Sequence, residues 1–133
     1  MHEWALAEAV INTTIKFVEE NNLKELKEVI IKIGELQQVD IEIFKFALFE
    51  LKVEKGLGNV EFKIELVEAK MKCLKCGFNW KFNGEELKED IKEAIHFIPE
   101  VVHAFMRCPI CKSPDFELTE GRGIWIDSII GVK

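Results

Sequence analysis

Two cysteine pairs, Cys73-Leu-Lys-Cys76 and Cys108-Pro-Ile-Cys111, are the residues best equipped for chemistry in this chain. Each Cys-x-x-Cys sets two sulfurs on one tight turn, and two such turns supply the four soft ligands of a closed tetrahedral site. Gly77, after the first pair, suits a backbone that folds back toward the sulfurs. The same spacing could serve two disulfides, two dithiol redox centres or a rubredoxin-like iron site. Nothing suggests secretion, and neither pair opens a helix of a βαβ unit, so one shared structural Zn²⁺ is the expectation. Four thiolates leave zinc no open position for a substrate. No serine–histidine–acid or cysteine–histidine nucleophile pattern is present either, so the chain is not expected to be an enzyme.

A second possibility for metal chemistry lies at the other end. A histidine in position 2 lets the α-amine of Met1, the amide nitrogen of residue 2 and the His2 imidazole close chelate rings around one ion. Nitrogen donors in such a planar array suit Ni(II) or Cu(II) rather than tetrahedral zinc. The bland alternative is that His2 is an exposed terminal residue and Glu3 a carboxylate favoured by the first turn of a helix. The remaining histidines, His96 and His103, sit in apolar surroundings and can be read simply as partly buried structural rings.

Composition narrows the partners. The chain has 133 residues, 48% of them hydrophobic and 32% charged, enough for one ordinary domain or two small ones sharing a clasp. Its net charge of −6 opposes the basic face that a nucleic-acid-binding zinc ribbon needs, so no nucleic-acid partner is expected. Lys70, Lys72 and Lys75 read best as a solvated face. No apolar run reaches membrane-spanning length and no signal peptide is evident, so a reducing cytoplasm and no membrane partner are expected.

These residues must be positioned by a small set of elements. Trp4, Ala7, Ile11, Ile15 and Val18 recur at helical spacing, ending at Asn21-Asn22. Residues 27–36 alternate as a strand, Asp40 caps a second helix that Gly56 stops, and 59–71 alternate again into the first cysteine pair. Residues 116–118 and 124–130 read as later strands. Between the pairs lie 31 residues, where Trp80 and Phe82 suggest a strand, Leu87, Ile91 and Ile95 a helix, and 102–106 a returning strand. The expected architecture is α+β: two helices packed on a small three-stranded sheet, with a zinc-ribbon-like module inserted before the last strand. Residues 1–70 with 120–133 would form one domain, and 71–119 the zinc domain with an extended insert at about 84–106.

Met1-His2-Glu3 followed at once by a helix, the stretch Gly34-Glu35-Leu36-Gln37-Gln38-Val39, the paired cysteines and Gly121-Arg122-Gly123 together resemble the HypA/HybF family. The order is kept over essentially the whole chain. The resemblance implies a nickel metallochaperone for [NiFe] hydrogenase maturation, with Met1, His2 and Glu3 at the nickel site. It also implies a zinc site of Cys73, Cys76, Cys108 and Cys111. Implied partners are a HypB-type maturation GTPase and the hydrogenase large-subunit precursor; self-association is left open. The spacer between the pairs is longer than is usual in the family. The planar set of Met1 and His2 leaves a fourth position, which His96, near a helix end before Pro99, could fill more readily than His103. A nucleic-acid-binding or adaptor module is the alternative function.

Overall fold

The computed structural model describes residues 2–133, apart from the side chain of Glu86. Met1 lies outside the described residues. The elements in order are α1 (His2–Glu20), β1 (Glu25–Gly34), α2 (Ile41–Glu54), β2 (Glu61–Val67), β3 (Lys70–Cys73), β4 (Asn79–Lys81), α3 (Glu89–Phe97), α4 (Val102–Phe105), β5 (Phe116–Glu120) and β6 (Ile124–Val132). The fold is α+β, with two separate three-stranded sheets ordered β2-β1-β6 and β4-β3-β5.

The chain divides into two compact units. The first comprises 1–32, 39–65 and 125–133. Its core is formed by Ala7, Val10 and Ile11 of α1, Val29 and Ile31 of β1, and Phe44, Ala47 and Leu48 of α2, all buried at helical or alternating spacing. Both long helices end in the same device. At α1 the N–H of Leu23 reaches Val18 O at 3.1 Å and that of Asn22 reaches Glu19 O at 3.3 Å, with Asn22 at φ 52°. At α2 the equivalents are Leu57 to Lys52 O at 2.7 Å and Gly56 to Val53 O at 3.2 Å, with Gly56 at φ 77°. Asparagine and glycine are the residues that enter this left-handed position at least cost. Asp40 caps α2 as its sequence promised, its side chain accepting from Ile43 N at 3.2 Å. Lys24 N donates to Val132 O at 2.7 Å, which ties the far end of β6 to the start of β1.

The second unit comprises 33–38 and 66–124. Its segment 33–38 had been expected with the first domain. Among the contacts that hold that segment, Leu36 N donates to Gly121 O at 2.9 Å, Glu35 Oε1 accepts from Ala69 N at 2.9 Å, and Gln37 Oε1 accepts from Gly123 N at 3.0 Å. A Cβ on Gly34 would stand 2.3 Å from the Gly121 carbonyl, and one on Gly121 2.3 Å from Ala69 Cα, so backbone meets backbone where only glycine fits.

Two local expectations change. The alternation over 59–71 is two strands in two sheets, not one, because the buried phase switches from Val60 to the odd-numbered Ala69, Met71 and Cys73. Residues 102–105 form the short helix α4 rather than a returning strand. Pro99 opens a helical turn there, and winding the chain buries Val102 beside Ile95. The long spacer is therefore no loose excursion. Ile95 and Val102 join Leu36, Ala69, Met71, Phe82 and Phe116 in the core of the second unit.

Candidate metal centre

The two cysteine turns have the same construction. In the first, Cys73 N donates to Phe78 O at 2.8 Å and Gly77 N to Cys73 O at 3.0 Å. In the second, Cys108 N donates to Ser113 O at 3.0 Å and Lys112 N to Cys108 O at 2.9 Å. Gly77 and Lys112 occupy the same place in the two turns, and both have positive φ, 79° and 64°. The sequence marks the first with glycine and gives no sign of the second. Ser113 Oγ also accepts from Asp115 N at 3.1 Å, which folds the chain into β5.

β3 and β5 are antiparallel neighbours with Cys73 opposite Phe116, and this pairing brings the two turns together. The four sulfurs lie within 4.8 Å of one another. Cys73 Sγ is 3.5 Å from Cys111 Sγ, and Cys76 Sγ is 3.6 Å from Cys108 Sγ. A disulfide needs about 2.05 Å. A tetrahedron of sulfurs at about 2.3 Å from a central zinc has edges of about 3.8 Å. The observed spacing matches the second figure.

Backbone donors support the negative charge such a ligand set carries. Cys73 Sγ receives the N–H groups of Lys75 and Cys76, each at 3.4 Å. The Cys76 N–H, followed by that of Lys75, pulls the Cys73 thiol down to about 6 against the cost of desolvation. Desolvation raises Cys108, yet the N–H groups of Cys111 and Ile110 outweigh it and lower that thiol. At Cys76 the Phe78 N–H pulls downward, but desolvation and the neighbouring sulfurs of Cys108 and Cys73 push the thiol up to about 12. Four sulfurs this close cannot all ionise unless a cation offsets their repulsion. The arrangement fits one soft divalent ion in closed coordination, held by all four cysteines.

The structure places the other expected residues as follows. His2 is the exposed first residue of α1, so its amide N–H belongs to the first turn and lies outside the i→i−4 ladder. Glu3 is buried, and its Oε2 accepts from Asp40 N at 3.0 Å, fixing the first turn of α1 to the start of α2. His96, in α3, is half-buried, with Nδ1 2.6 Å from Gln37 O. A carbonyl can only accept, so Nδ1 carries the proton and Nε2 is the lone-pair nitrogen of the neutral ring. His103 is exposed and stacks on Phe116, with ring centroids 4.2 Å apart. His2 and Glu3 belong to the first unit, and His96, His103 and the cysteines to the second. Sequence reasoning named no role for Glu35 and Gln37; their polar groups hold the 33–38 segment, a role visible only once the distant Ala69 and Gly123 are brought to them.

Residues 1–130 match the family model described as hydrogenase/urease nickel incorporation, metallochaperone, HypA. The hydrogenase maturation factor HypA of Thermococcus sibiricus is 45% identical over 97% of this chain and 95% of its own length. That of Pyrococcus horikoshii is 44% identical over 97% and 94%. These alignments run through the long spacer, which is thus not a peculiarity of one chain. Among solved structures, the solution structure of the Ni metallochaperone HypA from Helicobacter pylori superposes with a TM-score of 0.60 at 18% identity, over 98% of this chain and 97% of that one. A second HypA solution structure gives 0.62 at 19% identity. At such identities these two structures speak to the fold alone.

Proposed function

From the premise that this chain belongs to the HypA family of nickel-incorporation metallochaperones, which are maturation factors and not enzymes, we propose that it binds Ni(II) at its N-terminus and delivers it during [NiFe] hydrogenase maturation. The single observation that carries the reading is the family match running from residue 1, so that Met1, His2 and Glu3 stand in the matched segment.

The chemistry of that segment supports it. The amine of Met1, the amide nitrogen of residue 2 and the His2 imidazole offer three nitrogens of the kind that hold planar Ni(II). Ionising the amide of His2 breaks no rung of the helix, because α1 begins at that residue. Glu3 contributes by holding the turn through Asp40. His96 is itself a candidate metal-binding imidazole: a proton on Nδ1 given to a carbonyl is the arrangement that orients such a ring through Nε2. In the second unit the four cysteines hold a structural Zn²⁺. Ligands at a chain terminus can be displaced one at a time by a partner offering thiolates or imidazole, which gives the cargo a route out. The partners in this reading are a HypB-type GTPase and the hydrogenase large-subunit precursor.

The test compares tag-free protein with His2→Ala and with a variant carrying one extra N-terminal residue. Bound nickel and zinc are counted, and the visible absorption of planar Ni(II) is followed. Loss of stoichiometric nickel in both variants with zinc unchanged is expected. Equal nickel binding by all three proteins, or normal nickel delivery to hydrogenase without His2, would overturn the reading.

A further inference from the structure

α2 carries apolar side chains on more of its circumference than the core of the first unit uses. Phe44, Ala47 and Leu48 are buried, whereas Phe49 is 57% exposed. Phe49 lies one helical turn from both Lys45 and Lys52, so the three side chains share one flank of the helix. Phe62 and Ile64 of β2 meet that flank, and with Leu48 the group lines an open cavity of about 180 Å³. Among the described residues, no acidic side chain lines it.

The two lysines differ from those on the neighbouring sheet. Lys32 lies against Glu65 and Asp127, and Lys63 against Glu28, so those charges are answered within the chain. Among the described residues, neither Lys45 nor Lys52 meets a carboxylate. Lys52 is half-buried and held in place: its Nζ donates to Val60 O at 2.8 Å and stands 5.6 Å from the centre of the Phe49 ring. One of its three N–H groups goes to that carbonyl, and two remain. A lysine fixed in this way gives up less freedom to a ligand than a loose surface one.

Two cations without a counter-charge call for an anion, and Leu48, Phe49, Phe62 and Ile64 call for an apolar body. A compact anion such as phosphate would leave those walls wet. A neutral hydrocarbon would leave the ammonium groups unanswered. The cavity is smaller than the range of about 300–1,000 Å³ typical of drug-sized sites, so the body must be short.

We propose that this cavity binds a carboxylate carried on a short apolar stem. The carboxylate takes the two remaining N–H groups of Lys52 and the ammonium of Lys45, and the stem lies among Leu48, Phe49, Phe62 and Ile64. A small free acid and the last residue of a polypeptide both present this chemistry. The second could also lay its backbone along the outer edge of β2, with which no strand pairs among the described residues.

Amide NMR of ¹⁵N-labelled, zinc-loaded, nickel-free protein tests this. The ligands are hexanoate, hexanol, inorganic phosphate, and a short peptide ending in leucine, made with a free carboxylate and as its amide. Hexanoate is expected to saturate with a Kd of about 1 mM, the scale for a ligand this small, with shifts at 45–52 and 60–64. Hexanol and phosphate should bind roughly tenfold more weakly or worse, and the amidated peptide more weakly than its acid. Lys45→Gln removes one charge at an exposed position without touching the Val60 contact and should weaken binding about threefold or more. Lys52→Met should weaken it roughly tenfold, with unchanged shifts elsewhere reporting the fold of both variants. A free peptide acid that binds more tightly than hexanoate and shifts residues along β2 assigns the site to a chain terminus; one that binds no more tightly assigns it to a small acid. Hexanol matching hexanoate, shifts that never saturate with either acid or fall outside the cavity, or a Lys45→Gln protein that binds as well as wild type would each overturn the proposal. Nickel is absent throughout, so none of these outcomes depends on the N-terminal site.

Discussion

The carboxylate of Glu3 accepts the backbone N–H of Asp40 at 3.0 Å, joining residues 37 apart in sequence at the first turns of two helices. Replacing Glu3 by alanine leaves that partly buried N–H without its charged acceptor, which is worth about 1–2 kcal/mol of stability. Glutamine keeps the reach and a neutral acceptor oxygen and should recover about half. Chemical denaturation of zinc-loaded protein, without nickel, measures both. Equal stability of Glu3→Ala and wild type would show that the contact holds nothing.

The backbone crossing at Gly34 and Gly121 allows no side chain. Gly34→Ala is expected to cost about 2–4 kcal/mol, because its Cβ would meet the Gly121 carbonyl 2.3 Å away and neither is a flexible group. Gly121→Ala should be at least as severe, since φ is 94° there and Ala69 stands in the way. Midpoints of urea unfolding rank the two. As a control, Gly58→Ala meets nothing within 4 Å and should be tolerated.

The matched positions Gly77 and Lys112 make opposite predictions. Gly77→Ala forces a Cβ into a left-handed turn at φ 79° and should destabilise the second unit by about 1 kcal/mol. Lys112→Gly relieves the same strain and should stabilise it by about 0.5–1 kcal/mol, less whatever entropy glycine adds to the unfolded chain. Zinc retention against a competing chelator reads both substitutions at the site they surround.

Nickel binding should fall steeply with pH. Occupying the N-terminal set releases a proton from the Met1 amine, whose ordinary value is about 8, and another from the amide of residue 2. Below that value apparent affinity should drop by about a hundredfold per pH unit. Competition titrations between pH 6 and 8 measure the slope. A drop of tenfold or less per unit would mean that the amide stays protonated and that the chelate is not the one proposed.

Much of this architecture was written locally. The cysteine pairs, the Asp40 cap and the stop at Gly56 each follow from chemistry within a few residues, and each stands where its pattern placed it. The switch from β2 to β3 is less plain: residues 59–71 read as one alternating strand, and it is their burial, at Val60 and then at Ala69, Met71 and Cys73, that changes from even to odd and cannot belong to one continuous strand face. What stayed hidden depends on distant partners. Residues 102–105 carry enough apolar character for a strand, and only a core awaiting Val102 beside Ile95 winds them into a helix. No neighbour in sequence announces that His96 faces Gln37 or that Lys112 repeats the role of Gly77.

The return of β6 to β1 has a consequence for how the molecule is made. During synthesis β1 emerges early, yet its neighbour at residues 124–132 follows only after the entire second unit has been translated. All four cysteines precede that neighbour in the chain, so the ligands of the second unit are complete before the first sheet has its last strand. Closing the cysteine site asks only for segments that precede β6, whereas the first sheet must join the two ends of the chain, the slower kind of pairing to form.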